Sequence, residues 1–162
     1  MQHTKPRLDL PSDRFELLTG APQIRFNSWR RPGKNILLVT PSEKPCKFYG
    51  ITRDDWVTDT IAELKKHPDR EIIVRDKGLR RERIRDGSIL TQLNEDDIYD
   101  VVTYNYLAAN EAVGWGVPAF ATAPGACAAG TLVLNDLSKI ESPLYSDPEE
   151  VRAWQNWLAY CQ

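Results

Sequence analysis

The fold is decided by the stretch VVTYNYLAANEAVGWGVPAF, residues 101–120, in which an alanine-rich segment separates two apolar runs. The first run begins with two adjacent valines and ends at Thr103, a pattern typical of a short buried strand. The alanine-rich segment after Asn105 has the composition of a helix, and Gly116 predicts where that helix ends. Because residues 117–121 are apolar again, the stretch predicts a strand, a helix and a second strand.

The same alternation extends toward the N-terminus. The sequences NILLVT (residues 35–40) and EIIVR (residues 71–75) predict two further short strands. An amphipathic helix is predicted to begin after Thr52 and to end before Pro68, and a shorter helix is predicted within 87–97. Strands that alternate with helices over short links are typical of a parallel sheet covered by helices. We therefore predict an α/β fold, a Rossmann-like parallel sheet flanked by helices in a three-layer sandwich.

The remaining segments divide the chain into an arm and one domain. Residues 1–34 predict an N-terminal arm with a short helix near 12–18 and an edge strand at 23–26. Two prolines within 41–50 predict a loop there. The last helix has strong start signals, with Asp147 as the cap and Pro148 as the first helical residue. A chain of 162 residues has the size of a single domain.

The composition argues against several classes of function. A formal net charge of -2 gives no overall attraction to nucleic acid or anionic membranes. No apolar run approaches the roughly 20 residues of a membrane span, and the first residues lack the apolar core of a secretory signal, so we expect a cytoplasmic protein without a membrane partner. Two histidines and three widely spaced cysteines predict neither a metal site nor a histidine-based triad. A carboxylate is then the expected agent of any acid–base chemistry.

The predicted junction between strand and helix at 101–111 has the features of an anion site. Ligands of parallel sheets bind beyond the carboxyl ends of the strands, where helix N-termini attract phosphate. Thr103 and Asn105 can hydrogen-bond such a ligand there, and Glu111 is the one acid in an otherwise apolar helix. Alternatively, Thr103 or Asn105 only caps the helix and Glu111 is a solvated surface residue. No G-x-G-x-x-G or P-loop sequence is present to favour a dinucleotide or a P-loop site.

The segment NYLAANEAVGWGVPAF resembles the nucleotide-sugar-binding half of GT-B type glycosyltransferases. In those proteins a strand, a small polar residue or Asn, an alanine-rich helix with one Glu and a Gly-Val/Ile-Pro sequence follow one another. The chain is most similar to phage-encoded glycosyltransferase-like proteins and, more distantly, to capsular-polysaccharide transferases. The likeness covers residues 35–162. It implies one Rossmann-like nucleotide-binding domain there, a nucleotide-sugar as substrate rather than any cofactor, and the host cytoplasm as the location of a phage-encoded protein.

The resemblance also implies roles for residues of the junction. Thr103, Asn105 and Tyr106 would face the diphosphate of the ligand, together with the N–H groups of the following turn. Glu111 would approach hydroxyl groups of the ribose or of the sugar. No metal ion is implied, since proteins of this type usually work without one.

Two neighbouring segments complete the predicted site. Pro124, Gly125 and Ala126 belong to a loop of small residues that would lie beside the nucleoside, because small residues allow close approach of a backbone. Arg75 and Lys77 follow a predicted strand, where a cation can hold a phosphate group. The alternatives are a plain surface connection for the loop, and for the arginines further along a solvated face or a nucleic-acid acceptor, which the net charge does not support.

The resemblance leaves three functions open, because about 34 residues ahead of the first strand cannot form the second half of a GT-B enzyme. We therefore expect an isolated donor-binding half, shortened at both ends. It would act as a transferase whose acceptor site comes from the arm or from a second copy in a homo-oligomer, with Glu43, Asp54 or Asp55 as candidate base and no catalytic residue assigned. Otherwise it would bind a nucleotide or nucleotide-sugar without catalysis, as a sequestering or regulatory module, or serve as a partner-binding scaffold.

Overall fold

The computed structural model describes residues 7–19, 28–29, 33–67, 70–76, 89–124 and 132–160. These residues form six α-helices, which are α1 Asp13–Thr19, α2 Glu43–Tyr49, α3 Arg53–Leu64, α4 Ile89–Glu95, α5 Tyr106–Gly114 and α6 Pro148–Tyr160. They also form four strands, β1 Asn35–Val39, β2 Ile72–Arg75, β3 Ile98–Thr103 and β4 Ala119–Ala121. A 3₁₀ helix spans Leu137–Lys139.

The four strands form one parallel sheet in the order β2-β1-β3-β4. Leu37 in β1 pairs with Ile73 on one side and with Val101 of β3 on the other, and Val101 pairs with Ala119 of β4. The two central strands are almost wholly buried, which explains why their sequences are mostly apolar, with Asp100 as a buried acid in β3. The predicted α/β fold with a Rossmann-like parallel sheet flanked by helices is confirmed.

Helices pack on both faces of the sheet, as a three-layer sandwich requires. Leu37 and Val101 belong to a core shared with buried residues of α4, α5 and α6. Their strand neighbours Leu38 and Val102 face the other way, into a second core with Leu64 of α3 and Ile140. Period-two alternation along buried strands therefore divides the apolar residues between two helical layers.

The prediction of a loop at 41–50 was wrong, because this segment contains helix α2. Pro45 is the third helical residue, a position in the first turn where the missing N–H breaks no helical hydrogen bond. Gly50 ends the helix with φ 65° and ψ 33°, the left-handed conformation that glycine adopts most easily, and its N–H donates to the carbonyl of Cys46. A proline at the start and a glycine after the end are compatible with one short helix.

The predicted starts of two other helices agree with the structure. Thr52 precedes α3 as the N-cap residue, although its side chain makes no capping hydrogen bond. The Asp147 carboxylate accepts a hydrogen bond of 2.8 Å from the N–H of Glu149 at the start of α6. Asp147 therefore caps α6 as predicted.

The N-terminal arm also contains its predicted helix, α1, at Asp13–Thr19. The Tyr160 hydroxyl donates to the Asp13 carboxylate at 2.6 Å, which ties the arm to the end of α6. The edge strand predicted at 23–26 lies outside the described residues. Within the described parts of the chain, no helix is long and apolar enough to span a membrane.

Candidate functional site at the carboxyl edge of the sheet

All four strands end at one edge of the sheet because they are parallel. The chain leaves β1 toward β2 on one side, and later returns to place β3 on the other side of β1. The carboxyl ends of β1 and β3 therefore flank a topological switch point, the position where open α/β sheets bind ligands. The candidate site is built from the segments that follow these strands.

The predicted junction at 101–111 is the start of α5, directly after β3. Asn105 is the N-cap residue, with φ -108° and ψ 165°, and its side chain makes no capping hydrogen bond. The N–H groups of the first turn thus donate no hydrogen bond to the cap side chain, and they carry the positive end of the helix dipole. This geometry suits an anion.

Thr103, the last residue of β3, adds a second observation at the same place. Its side chain is fully buried, and its hydroxyl has no hydrogen-bond partner in the described parts of the chain. Buried polar groups in folded proteins almost always have a partner, so this hydroxyl is an exception that needs an explanation. This unpartnered hydroxyl stands two residues before the N-cap residue of α5.

The segment after β4 lies beside this junction. The N–H groups of Thr122 and Ala123 donate to the carbonyls of Thr103 and Tyr104 at 3.1 and 2.8 Å, so the pairing of β3 with β4 continues past the strands. Pro124, one of the residues predicted to lie beside the nucleoside, follows directly and is exposed. Gly125 and Ala126 lie outside the described residues, as does the Tyr106 side chain.

Glu111 is exposed on α5. It lies five residues beyond Tyr106, which corresponds to about 8 Å along the helix axis at 1.5 Å per residue. A phosphate group at the start of α5 therefore does not reach Glu111. Only a ligand that extends along the helix would contact both, as the predicted contact with a ribose or a sugar requires.

Arg75, the strand-end cation of the sequence prediction, is turned toward α4. Its guanidinium donates a hydrogen bond to the Gln92 side chain. β2 is separated from β3 by β1, so Arg75 and Thr103 are two strand spacings apart, or about 10 Å. Lys77 lies outside the described residues.

Arg53 is a cation at the carboxyl edge that the sequence analysis did not select. It is the first residue of α3, and its Nη1 donates to the Asp76 carboxylate at 3.0 Å, just past the end of β2. The same carboxylate oxygen accepts a hydrogen bond of 3.2 Å from the buried Thr40 hydroxyl after β1. A cation in the first helical turn opposes the helix dipole, and this conflict is the sequence signal that could have identified Arg53.

A cleft of about 730 Å³ opens beside Arg53, a size typical of small-molecule sites. Its described walls are the segment after β1, helix α2, the turn to α3 and the end of β2. The lining residues are Pro41, Ser42, Glu43, Cys46, Lys47, Gly50, Ile51, Thr52, Arg53, Asp54 and Asp76. Two of the three candidate bases, Glu43 and Asp54, belong to this wall.

An aromatic cluster closes the space between the cleft and the end of β3. The Tyr104 ring makes edge contacts with Tyr49 and Trp56, at centroid distances of 5.6 and 5.7 Å. The Trp56 indole N–H donates to the Thr122 hydroxyl at 2.9 Å. Helix α3 is thus connected to the segment after β4 across the carboxyl edge. Burial of the Tyr104 phenol raises its pKa above the usual value, so Tyr104 stays neutral at physiological pH.

Cys46 is the thiol of the cleft wall and is buried. Burial raises the pKa of this thiol, and the nearby Arg53 charge opposes that shift without overcoming it. A buried thiol with a raised pKa is a poor nucleophile, because the thiolate is the reactive form. We assign Cys46 to the packing of the wall.

No protein family, curated protein or solved structure matches this chain. Among the described residues, no group of histidine, cysteine, aspartate and glutamate side chains is arranged to hold a metal ion. The carboxyl edge of the sheet is therefore the feature of this chain that points to a function.

Proposed function

We propose that this protein binds a nucleotide or nucleotide-sugar at the carboxyl edge of its sheet, with the diphosphate at the start of α5. The observation that carries the proposal is the pairing of two features at the end of β3. Among the residues that the structure describes, no side chain caps the first turn of α5, and the adjacent Thr103 hydroxyl is buried without a partner. Together they offer an anion both the helix dipole and hydrogen-bond donors.

The resemblance to GT-B type glycosyltransferases supplies the ligand class and supports a transferase that passes the sugar to an acceptor. The segment that carries the resemblance is the one that forms β3, α5 and β4. Glu43 and Asp54, two of the candidate bases, lie at the same edge of the sheet. The acceptor site would come from the N-terminal arm or from a second copy of the chain.

Binding without transfer is the second candidate, and the distance of the candidate bases from the proposed phosphate position favours it, because a base in the cleft would act only on a hydroxyl bound in the cleft itself. The cleft that holds Glu43 and Asp54 adjoins the ends of β1 and β2, one to two strand spacings, or about 5–10 Å, from β3. A general base must come within about 3 Å of the proton it removes. A sequestering or regulatory nucleotide-binding module needs no such approach.

Calorimetry with UDP, GDP, ADP, CMP and their sugar conjugates, compared with the free nucleosides, tests the proposal. Thr103→Val removes the hydroxyl while keeping the shape of the side chain, and Asn110→Ala, in α5 but beyond its first turn, is the control. We expect Thr103→Val to weaken diphosphate binding about tenfold, the usual effect of losing one hydrogen bond to a charged group, with little effect on nucleosides.

Two results would count against the proposal. Absence of binding by every nucleotide would remove the function altogether and leave a partner-binding scaffold. Equal weakening of diphosphates and nucleosides by Thr103→Val would show that the hydroxyl does not contact phosphate. Monitoring of sugar release in the same samples separates transfer from binding alone.

A further inference from the structure

The cleft between α2 and α3 has a lining whose charges nearly balance. Its carboxylates belong to Glu43, Asp54 and Asp76, and its cations to Lys47 and Arg53. The formal sum of -1 is offset by the positive dipole ends of the two helices that begin at the cleft. A phosphate dianion would gain little in such a lining, because the carboxylates outnumber the cations and Arg53 is already paired with Asp76.

The Arg53 side chain is paired with a carboxylate on the wall of the cleft. Its guanidinium donates to the Asp76 carboxylate at 3.0 Å. The same carboxylate oxygen also accepts a hydrogen bond from the Thr40 hydroxyl, and Thr40 is buried. A second carboxylate oxygen, on Asp54, lies 3.7 Å from Arg53 Nε. The guanidinium is paired but partly exposed, so its remaining N–H groups are available as hydrogen-bond donors on the wall of the cleft.

The cleft also contains hydroxyl groups that make no capping bond. Ser42 and Thr52 are the N-cap residues of α2 and α3, and neither side chain caps its helix. Hydroxyls can both donate and accept, and they stand here among carboxylate acceptors and the Lys47 and Arg53 donors. Lys47 forms no ion pair with any residue that the structure describes. This mixture of donors and acceptors matches a ligand with several hydroxyl groups.

Part of the wall is apolar. Pro41 and Cys46 are buried, and Ile51 is partly buried beside them. An apolar surface surrounded by donors and acceptors suits a pyranose ring, which has C–H groups on its faces and hydroxyls around its rim. A ligand made only of phosphate would leave this surface uncovered.

We propose that the α2–α3 cleft binds the neutral, polyhydroxylated part of the ligand, a saccharide, while the phosphates stay at the start of α5. The inference rests on the proposed function for its ligand class, and adds to that function a second, separate subsite. The cleft adjoins the carboxyl ends of β1 and β2, about 5–10 Å from β3 along the same edge. The saccharide is either the sugar of the donor or an acceptor, and both sources share the chemistry of a neutral pyranose.

Three sugars that differ in charge test the subsite without any nucleotide. Glucose is neutral, glucosamine carries one positive charge and glucose 6-phosphate carries two negative charges. Mannose and galactose, two neutral stereoisomers of glucose, are titrated as well. Each is titrated to about 50 mM into ¹⁵N-labelled protein, since monosaccharides bind with millimolar Kd values. The amide of Gly50, which lines the cleft, is the reporter.

We expect at least one neutral hexose to shift the Gly50 signal with saturation, and glucose 6-phosphate to bind no more tightly than glucose. Lys47→Met should weaken that hexose about tenfold by removing one charged donor, whereas Lys44→Met, on the same helix but outside the cleft, should not. Competition with the intact nucleotide-sugar and with the free acceptor sugar separates the two sources of the saccharide.

Absence of saturable shifts with all three neutral hexoses would overturn the subsite. Tighter binding of glucose 6-phosphate than of glucose would do so as well, because it would mark a phosphate site. These results are independent of the nucleotide experiment. Nucleotide binding without sugar binding defeats the subsite alone, and sugar binding without nucleotide binding defeats the assignment of the α5 start alone.

Discussion

Replacement of Asp100 by asparagine is expected to stabilise the protein at neutral pH. Asp100 lies in β3, between β1 and β4, and its side chain is fully buried. Neither carboxylate oxygen has a hydrogen-bond partner in the described parts of the chain. Burial raises the pKa of this carboxyl well above its usual value; the nearby Arg70 charge opposes that shift, and Glu141 adds to it. The folded protein therefore holds a proton that the unfolded chain has released.

The sign and size of the effect follow from proton linkage. The unfolded carboxyl ionises near pH 3.9, so above that pH the folded state binds more protons than the unfolded state does. The free energy of unfolding then falls by about 1.4 kcal/mol for each pH unit, until the pH reaches the raised pKa of folded Asp100. The stabilising contribution is complete below about pH 3.9 and is lost as the pH rises. Asparagine has the same shape and releases no proton, so this pH-dependent loss disappears in the variant.

Urea unfolding of the wild-type protein and of Asp100→Asn, in steps from about pH 5 to about pH 8, measures the effect. The difference between the two free energies should widen by about 1.4 kcal/mol per pH unit at the start of this range. Asp59→Asn, on the exposed side of α3, is the control and should run parallel to the wild type. If Asp100→Asn also runs parallel to the wild type at every pH, the pKa of the buried Asp100 carboxyl is not raised in the folded protein.

Three further perturbations test the fold and the site. Trp56→Phe removes the indole N–H bonded to Thr122 and should lower the free energy of unfolding by about 1 kcal/mol, with little added loss in the double variant with Thr122→Val; additive losses would argue against the bond. Gly33→Ala places a methyl group 2.3 Å from the Asp97 carbonyl and should cost about 1–3 kcal/mol in thermal unfolding, so an unchanged Tm would contradict the close approach. Arg75→Ala should change the affinities for UDP and uridine little in calorimetry, because Arg75 is turned toward Gln92, two strand spacings from Thr103; a selective loss of UDP would instead place Arg75 at the phosphate.

The fold could be predicted from the sequence because its periodic signals are local. The runs at 35–39 and 98–103 are mostly apolar since both strands are buried on two faces, and Asp147 with Pro148 marks the start of α6. Helix α2 was missed because Pro45 was interpreted as a loop residue, although a proline in a first turn costs no hydrogen bond. Only the whole segment, from the N-cap to the left-handed glycine, indicates a helix.

The candidate site was less predictable because it depends on contacts between distant segments. The start of α5 could be recognised within one continuous stretch. The pairing of Arg53 with Asp76 joins residues 23 positions apart, and no local pattern announces it. Arg75 looked equally suitable from the sequence, but its orientation toward Gln92 of α4 depends on which helix packs beside the end of β2. Spacing along the chain identifies the strand that carries a side chain, whereas packing decides where that side chain points.

The most direct test of the account is calorimetric titration of the wild-type protein and of Thr103→Val with UDP and with uridine, extended to GDP, ADP and CMP with their nucleosides. We expect saturable binding of at least one nucleotide by the wild type. Thr103→Val should lower the affinity for that nucleotide about tenfold and leave the affinity for its nucleoside nearly unchanged. Absence of nucleotide binding by a folded wild-type protein would contradict the proposed nucleotide site at the start of α5. The start of α5 would then be an ordinary helix end, and the partner-binding scaffold would become the leading function.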